Sequence, residues 1–234
     1  MSKKRETRQA PPPRAKNYLP FIIIAVVLIA AVAVSAWLWQ RSHKASGTGT
    51  IAAGAAGAQP PHATGRADAP LTLEEFGDYQ CPPCGNFYPE VEKIRTDYGD
   101  KLHFIFRQFP LTRAHQNALV AAHAAEAAGQ QGKFWEMHDR LFRNQKSWAN
   151  DANARAVFEA YAAALGLDVE RFRRDMNSAE VDARIVADHE RAQSLGVTST
   201  PTFFLNGHEL SPEKLQTPAD LRPMLDAALN GKSF

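Results

Sequence analysis

Leu71-Thr72-Leu73-Glu74-Glu75-Phe76-Gly77-Asp78-Tyr79-Gln80-Cys81-Pro82-Pro83-Cys84 carries the only two cysteines of this 234-residue chain. Its first six residues predict a short strand, with Glu75 an unusual member near the end. Pro82 suits a first helical turn, and Phe87, Val91, Ile94 and Tyr98 recur at three- and four-residue steps. That spacing predicts a helix, which Gly99-Asp100 stops. The aromatic-rich run Leu102 to Phe109 predicts a second strand. Strand, helix, strand is a βαβ unit, whose two strands pair in parallel.

A Cys-x-x-Cys pair at the start of a helix can switch between dithiol and disulfide, and here each cysteine has no intramolecular partner but the other. Zinc is the weaker reading. A structural zinc site takes four Cys or His ligands, and no second Cys-x-x-Cys or paired His motif is present, although His115, His123 and His138 could be recruited from a distance. A purely structural disulfide is also weak, because the stabilisation grows with the length of the loop closed. Cys81 is the expected nucleophile, since the unpaired N–H groups and dipole of a helix N-terminus favour a thiolate. Cys84, one turn further in, is expected to be buried and to resolve mixed disulfides by attacking Cys81.

The N-terminus speaks to compartment. Residues 1–18 hold six basic side chains against the single acid Glu6, and Phe21 to Trp39 is a 19-residue uncharged apolar run. Such a run is long enough to cross a bilayer as a helix, closed by Trp37 and Trp39 at the headgroup boundary. The basic excess places the N-terminus in the cytoplasm and the remainder outside, periplasmic or extracellular, where disulfides persist. A cleaved signal peptide shares the order basic then apolar, but its apolar core is about 7 to 15 residues. The expected organisation is a basic tail at 1–18, an anchor at 19–39, a flexible Gly/Ala/Pro tether at 40–67 and a folded domain at 68–234. The first 66 residues carry a net charge of +8 and the rest −6. A mildly acidic domain gives no support for nucleic-acid binding, and no glycine loop of the phosphate-cradling kind implies a nucleotide cofactor.

Beyond the second strand, residues from about 112 to 195 are alanine-rich with helical spacing, broken near Gly129-Gly132, Ser147 to Asn153, Gly166 and Asn177-Ser178. About four or five helices fit there. Pro201 to Leu205 predicts a strand, Asn206-Gly207 a two-residue hairpin turn, His208 to Leu210 its return, and Pro218 to Asn230 a last helix.

Three separated pieces resemble the DsbA-like thiol–disulfide oxidoreductases, in particular the membrane-anchored kind. They are Asp68 to Cys84, the helical-insert motif Gly132-Lys133-Phe134-Trp135-Glu136-Met137-His138-Asp139, and Gly196-Val197-Thr198-Ser199-Thr200-Pro201-Thr202-Phe203-Phe204-Leu205-Asn206-Gly207. The resemblance spans residues 68 to about 230 and implies an α/β thioredoxin-like fold with an inserted all-helical subdomain. It implies a cis bond before Pro201, leaving the Thr200 backbone free to pair with an extended client by strand addition. It also implies that Glu75, six residues before Cys81, is a buried acid able to exchange a proton with Cys84. Pro82, Pro83 and Tyr79 are expected beside the client, Tyr79 being equally well a core residue. One departure stands out. The most oxidising DsbA-type sites carry His after the proline, and Pro83 offers neither its charge nor a backbone N–H.

The favoured function is therefore a tethered oxidase that introduces disulfides into reduced exported clients. With no third cysteine its electrons are expected to leave to another protein, a quinone-linked membrane oxidase being the expected partner. A reductase or isomerase of exported thiols is the second reading, and a non-catalytic client-binding module with a structural disulfide the third.

Overall fold

The computed structural model describes residues 54–234. The basic tail, the expected anchor and the first half of the expected tether lie outside the described residues. Among the described residues no helix is long and apolar enough to cross a membrane.

A five-stranded sheet forms from β1 (His62–Thr64), β2 (Leu71–Gly77), β3 (Leu102–Gln108), β4 (Thr202–Leu205) and β5 (His208–Glu209), in the order β1-β3-β2-β4-β5. Only β2 and β3 are parallel; β1 on β3, β4 on β2 and β5 on β4 are antiparallel. The parallel pair is joined by α1 (Pro82–Tyr98), as the βαβ pattern predicts, and Gly99 ends that helix in a left-handed conformation at φ 47°. Between β3 and β4 come α2 (Ala118–Gly129), α3 (Phe134–Arg143), α4 (Gln145–Trp148), α5 (Ala154–Ala164), α6 (Val169–Asp175) and α7 (Ala179–Ser194). After the hairpin, α8 (Leu221–Leu229) closes the chain behind a 3₁₀ turn at Pro218–Asp220. The architecture is thioredoxin-like, with a helical insertion.

β2 is buried along its whole length and has a strand on each side. Its alternation decides what each face meets. Leu71 and Leu73 join the main core with Val91 and Ile94 of α1, Leu221 and Leu225 of α8, and the aromatic residues of α3. Phe76 instead joins Phe109, Ala192, Val197 and Phe204 in a smaller core under α7. Glu75 is thereby directed toward α1, and Glu74 toward α7.

Two expectations need correction. The insertion holds six helices rather than four or five, because the chain breaks at Asn144 without glycine or proline. The Asn144 side chain bonds back to the Arg140 carbonyl at 2.8 Å and separates α3 from the single turn of α4. The other correction concerns the tether, whose last part is folded into the domain. Residues 62–64 form β1, the His62 ring stacks on Phe134 at 3.4 Å, and its Nε2 meets Glu126 at 2.8 Å. Upstream, Arg107 donates to the Ala58 carbonyl at 2.9 Å, Arg191 to that of Ala55 at 2.7 Å, and Arg184 to that of Pro60 at 3.1 Å. A Gly/Ala stretch buries little apolar surface, yet its small residues let three arginines reach the backbone carbonyls. The domain thus begins before residue 58, not at residue 68.

Candidate active site

Cys81 is the N-cap of α1, with Pro82 and Pro83 in the first turn. Those prolines remove two of the N–H groups that a helix N-terminus would otherwise present, so the first amide available to the sulfur is that of Cys84. Cys81 keeps 4 % exposure at the surface and Cys84 none, so only the first is open to another protein. Both are free thiols.

The two sulfurs are unequal. The Cys81 thiol is drawn down to about 6, first by a hydrogen bond from the Cys84 thiol, then, against the opposing effect of burial, by Thr200 and the Cys84 amide. Burial pushes the Cys84 thiol well above its ordinary range, and the neighbouring Cys81 and Glu75 push it further. Cys81 is therefore the sulfur able to attack at neutral pH, and Cys84 the one whose thiolate needs a proton partner.

Glu75 is the candidate for that partner, being near enough for its charge to push the Cys84 thiol up. It is 3 % exposed, and burial raises its carboxyl to about 8 despite the attraction of Arg95. Below that value it can donate to a departing Cys84 thiolate; above it, it can accept. The folded value lies above the unfolded one of 4.5, so stability falls as pH rises from about 4.5 toward 8. Glu75→Gln should abolish that dependence and flatten the rise of thiol exchange around pH 8. Stopped-flow exchange across pH, beside urea unfolding, checks both; an unchanged profile removes Glu75 from the chemistry.

The Thr200–Pro201 peptide is cis. The Cys81 thiol donates to the Thr200 carbonyl at 3.3 Å, which ties the two loops together across the site. The Thr200 hydroxyl is buried without a geometrically good partner among the described residues. A groove of about 330 Å³ runs beside this contact, lined among others by Pro83, Phe87, Ser199, Pro201, Thr202 and Leu210. Pro82 is exposed beside it but does not line it. Tyr79 is placed elsewhere: at 1 % exposure it sits in the core, bonded through its hydroxyl to His138 Nδ1 at 3.1 Å and packed on Phe106 and Phe142. Of the two readings open for Tyr79, the structure shows the core one, with almost no surface presented beside the site.

Residues that sequence reasoning passed over hold the loop in place. Asp78 accepts from the Gln80 amide at 2.7 Å and the Leu111 amide at 2.9 Å, and meets His115 Nδ1 at 2.6 Å. Gln80 in turn bonds the Ala149 carbonyl and the Asn117 amide, both at 2.6 Å. An Asp ahead of a turn is a recognisable local signal. The partners of Gln80 are far away in sequence and have none.

A family profile described as thioredoxin matches residues 58–227. The chain belongs to the thioredoxin family. Among solved structures, the domain is similar to a thioredoxin-like oxidoreductase from Silicibacter pomeroyi, with 28 % identity and a TM-score of 0.60, covering 73 % of this chain and 92 % of that one. It shares its fold with BdbD from Bacillus subtilis, at 22 % identity and a TM-score of 0.63 over 76 % and 98 % of the two chains. Curated relatives include the Na(+)/H(+) antiporter NhaA 1 of Mycolicibacterium gilvum, 42 % identical over 150 residues. A second is the Na(+)/H(+) antiporter NhaA of Herminiimonas arsenicoxydans, 39 % identical over 149 residues. These matches take in 62 % and 64 % of this chain but 23 % of each relative, so the chain spans about a quarter of the length of the relatives it matches. The matching start at residue 58 agrees with the docked segment ahead of β1.

Proposed function

We propose that this thioredoxin-family domain is a thiol–disulfide oxidoreductase of exported proteins, held at a membrane by residues 19–39 and running mainly as an oxidase. The observation that carries the reading is the inequality of the dithiol: Cys81 low and still 4 % exposed, Cys84 high, with no exposure and near Glu75. In the oxidase direction a client thiolate attacks Cys81 of the Cys81–Cys84 disulfide, and Cys84 leaves with a proton from Glu75. The client's second thiolate then forms the client disulfide and releases the Cys81 thiolate. The client lies extended along the Thr200–Pro201 segment, over Pro83 and the groove beside it. Reoxidation passes the electron pair to a membrane partner, for which a quinone-linked oxidase is the fitting chemistry. A tether would keep the domain at high effective concentration near it. Kinship with proteins named as antiporters supports a membrane setting for the whole chain.

Oxidising power should be tempered. A Cys81 value of about 6 lies between thioredoxin's roughly 7 and DsbA's roughly 3.5. The more a site stabilises its thiolate, the stronger an oxidant it becomes. The potential is expected between about −120 and −270 mV, and Pro83→His should raise it by about 30 mV or more, a tenfold change in equilibrium with glutathione. Redox titration measures both. A wild-type value above the DsbA figure, or no rise in the variant, contradicts the argument. Acid quenching and alkylation of the protein in living cells tests direction: mostly oxidised supports the oxidase, mostly reduced assigns the reductase.

A further inference from the structure

We propose that Gln145 is a positioning residue for the dithiol: its carboxamide clamps the two backbone carbonyls on either side of Gln80 and so holds Cys81 in register with Thr200. The inference rests on the oxidoreductase reading above. Gln145 opens α4, in the helical insertion, far from the active-site loop in sequence. Its Nε2 donates to the Tyr79 carbonyl and to the Cys81 carbonyl, each at 2.8 Å, so both hydrogens of one amide are spent on the loop. The residue is buried, and no side chain of the thioredoxin-like sheet makes these two bonds.

The need for such a clamp follows from the prolines. In α1 the Cys81 carbonyl is already bonded by the Gly85 amide at 3.1 Å, but Pro82 and Pro83 donate nothing back to the loop before them. The loop is instead fastened from outside. Asp78 is held by Leu111 and His115, Gln80 by Asn117 and Ala149, and the tyrosine ring by His138; among the described residues, Gln145 is the side chain that reaches the carbonyl of Cys81 itself. Fixing that peptide fixes the direction of the Cys81 side chain, which must meet the Thr200 loop on one side and Cys84 on the other. When Cys81 carries a client sulfur, the same restraint keeps the Sγ–Sγ line open to attack by Cys84.

The position opposite supports the assignment. A Cβ built at Gly85 would lie 2.4 Å from Gln145 Oε1 and 2.9 Å from its Cδ. Gly85 shows no left-handed backbone, so its lack of a side chain serves the approach of the carboxamide. In a helix interior alanine is otherwise the better residue.

Two variants test the clamp from opposite sides. Gln145→Leu keeps bulk and removes both donors; Gly85→Ala leaves Gln145 in the sequence but displaces it sterically. The readouts are the rate of Cys81 alkylation by iodoacetamide across pH and single-turnover exchange with oxidised glutathione. The other groups facing the thiol, Cys84, Asp78 and Glu75, are unchanged in both proteins. Both variants should shift the alkylation profile to higher pH, slow alkylation at pH 6 about threefold or more, and slow exchange about tenfold. Gly85→Ala should do so without a matching loss of thermal stability, which separates positioning from folding. Wild-type alkylation profiles in both variants overturn the clamp. Failure of the wild-type protein to form a Cys81–Cys84 disulfide overturns the oxidoreductase reading instead.

Discussion

Cys81→Ser protein should exchange thiols at a rate at least about 100-fold below wild type, whereas Cys84→Ser protein should react once and stop. The difference comes from ionisation. With its thiol near 6, Cys81 is about 90 % thiolate at pH 7, against a few per cent for an ordinary cysteine. Cys84, pushed well upward by burial, stays protonated at that pH and has no exposed surface. In Cys84→Ser, the Cys81 thiolate attacks a disulfide in the client or in glutathione, one sulfur of that disulfide leaves as a thiolate, and the mixed disulfide persists because nothing inside the protein resolves it. Mass spectrometry of the trapped adduct should place it on Cys81. Equal reactivity of the two single-cysteine proteins, or adducts on Cys84, would defeat the assignment of roles. If both proteins retain the cellular function, the domain works as a binding module.

Arg107→Met is expected to be the most destabilising substitution away from the site. Arg107 is fully buried in β3, donating to Glu74 at 2.8 Å and to Asp188 of α7 at 2.9 Å. Arg191 covers the other side of Glu74 with two bonds at 2.7 Å. Two arginines and two carboxylates balance inside the protein. Burial alone would raise Glu74, but the two guanidinium groups more than reverse it and hold it below the ordinary range. Its contribution is accordingly present above that range and is lost as pH falls through the lowered value. Removing Arg107 leaves an uncompensated buried negative charge, a loss of about 3–5 kcal/mol from a total of about 5–15. For a domain of this size that corresponds to a fall of roughly 10 °C in Tm. Arg107 also anchors the Ala58 carbonyl, so amides ahead of β1 should exchange faster in the variant. Calorimetry and hydrogen exchange test this. A loss under about 1 kcal/mol would mean that the network relaxes or is solvated, and Arg107→Met with Asp188→Leu should recover part of the loss.

Legibility differed by element in a physically ordered way. β2, α1 and β3 could be read because their signals are local: alternation, three- and four-residue spacing, and a proline followed by a glycine stop. Glu75 stood out as an acid in an apolar strand, but Glu74 beside it did not. Its partners Arg107 and Arg191 lie 33 and 117 residues away, and nothing near Glu74 announces them. The strap ahead of β1 is hidden from local reading for the same reason. Its own residues bury almost nothing, and the interactions that hold it come from side chains elsewhere. Tyr79 was ambiguous by proximity to Cys81, and only the ring of His138, Phe106 and Phe142 around it decides for the core.

From the sequence alone came the dithiol, its place at a helix start, the βαβ unit, the uncharged run ahead of the domain and the proline pair that weakens a helix N-terminus. All of these rest on covalent structure or on neighbours within a few residues. Only the tertiary structure made the cysteines unequal, since burial and the approach of the Thr200 loop are set by chain segments about 120 residues apart. It also brought a glutamine from the helical insertion onto the Cys81 carbonyl, and three arginines onto a segment that composition alone marks as loose. Reactivity of the pair is a property of desolvation and long-range contact, and those quantities do not exist until the chain has folded.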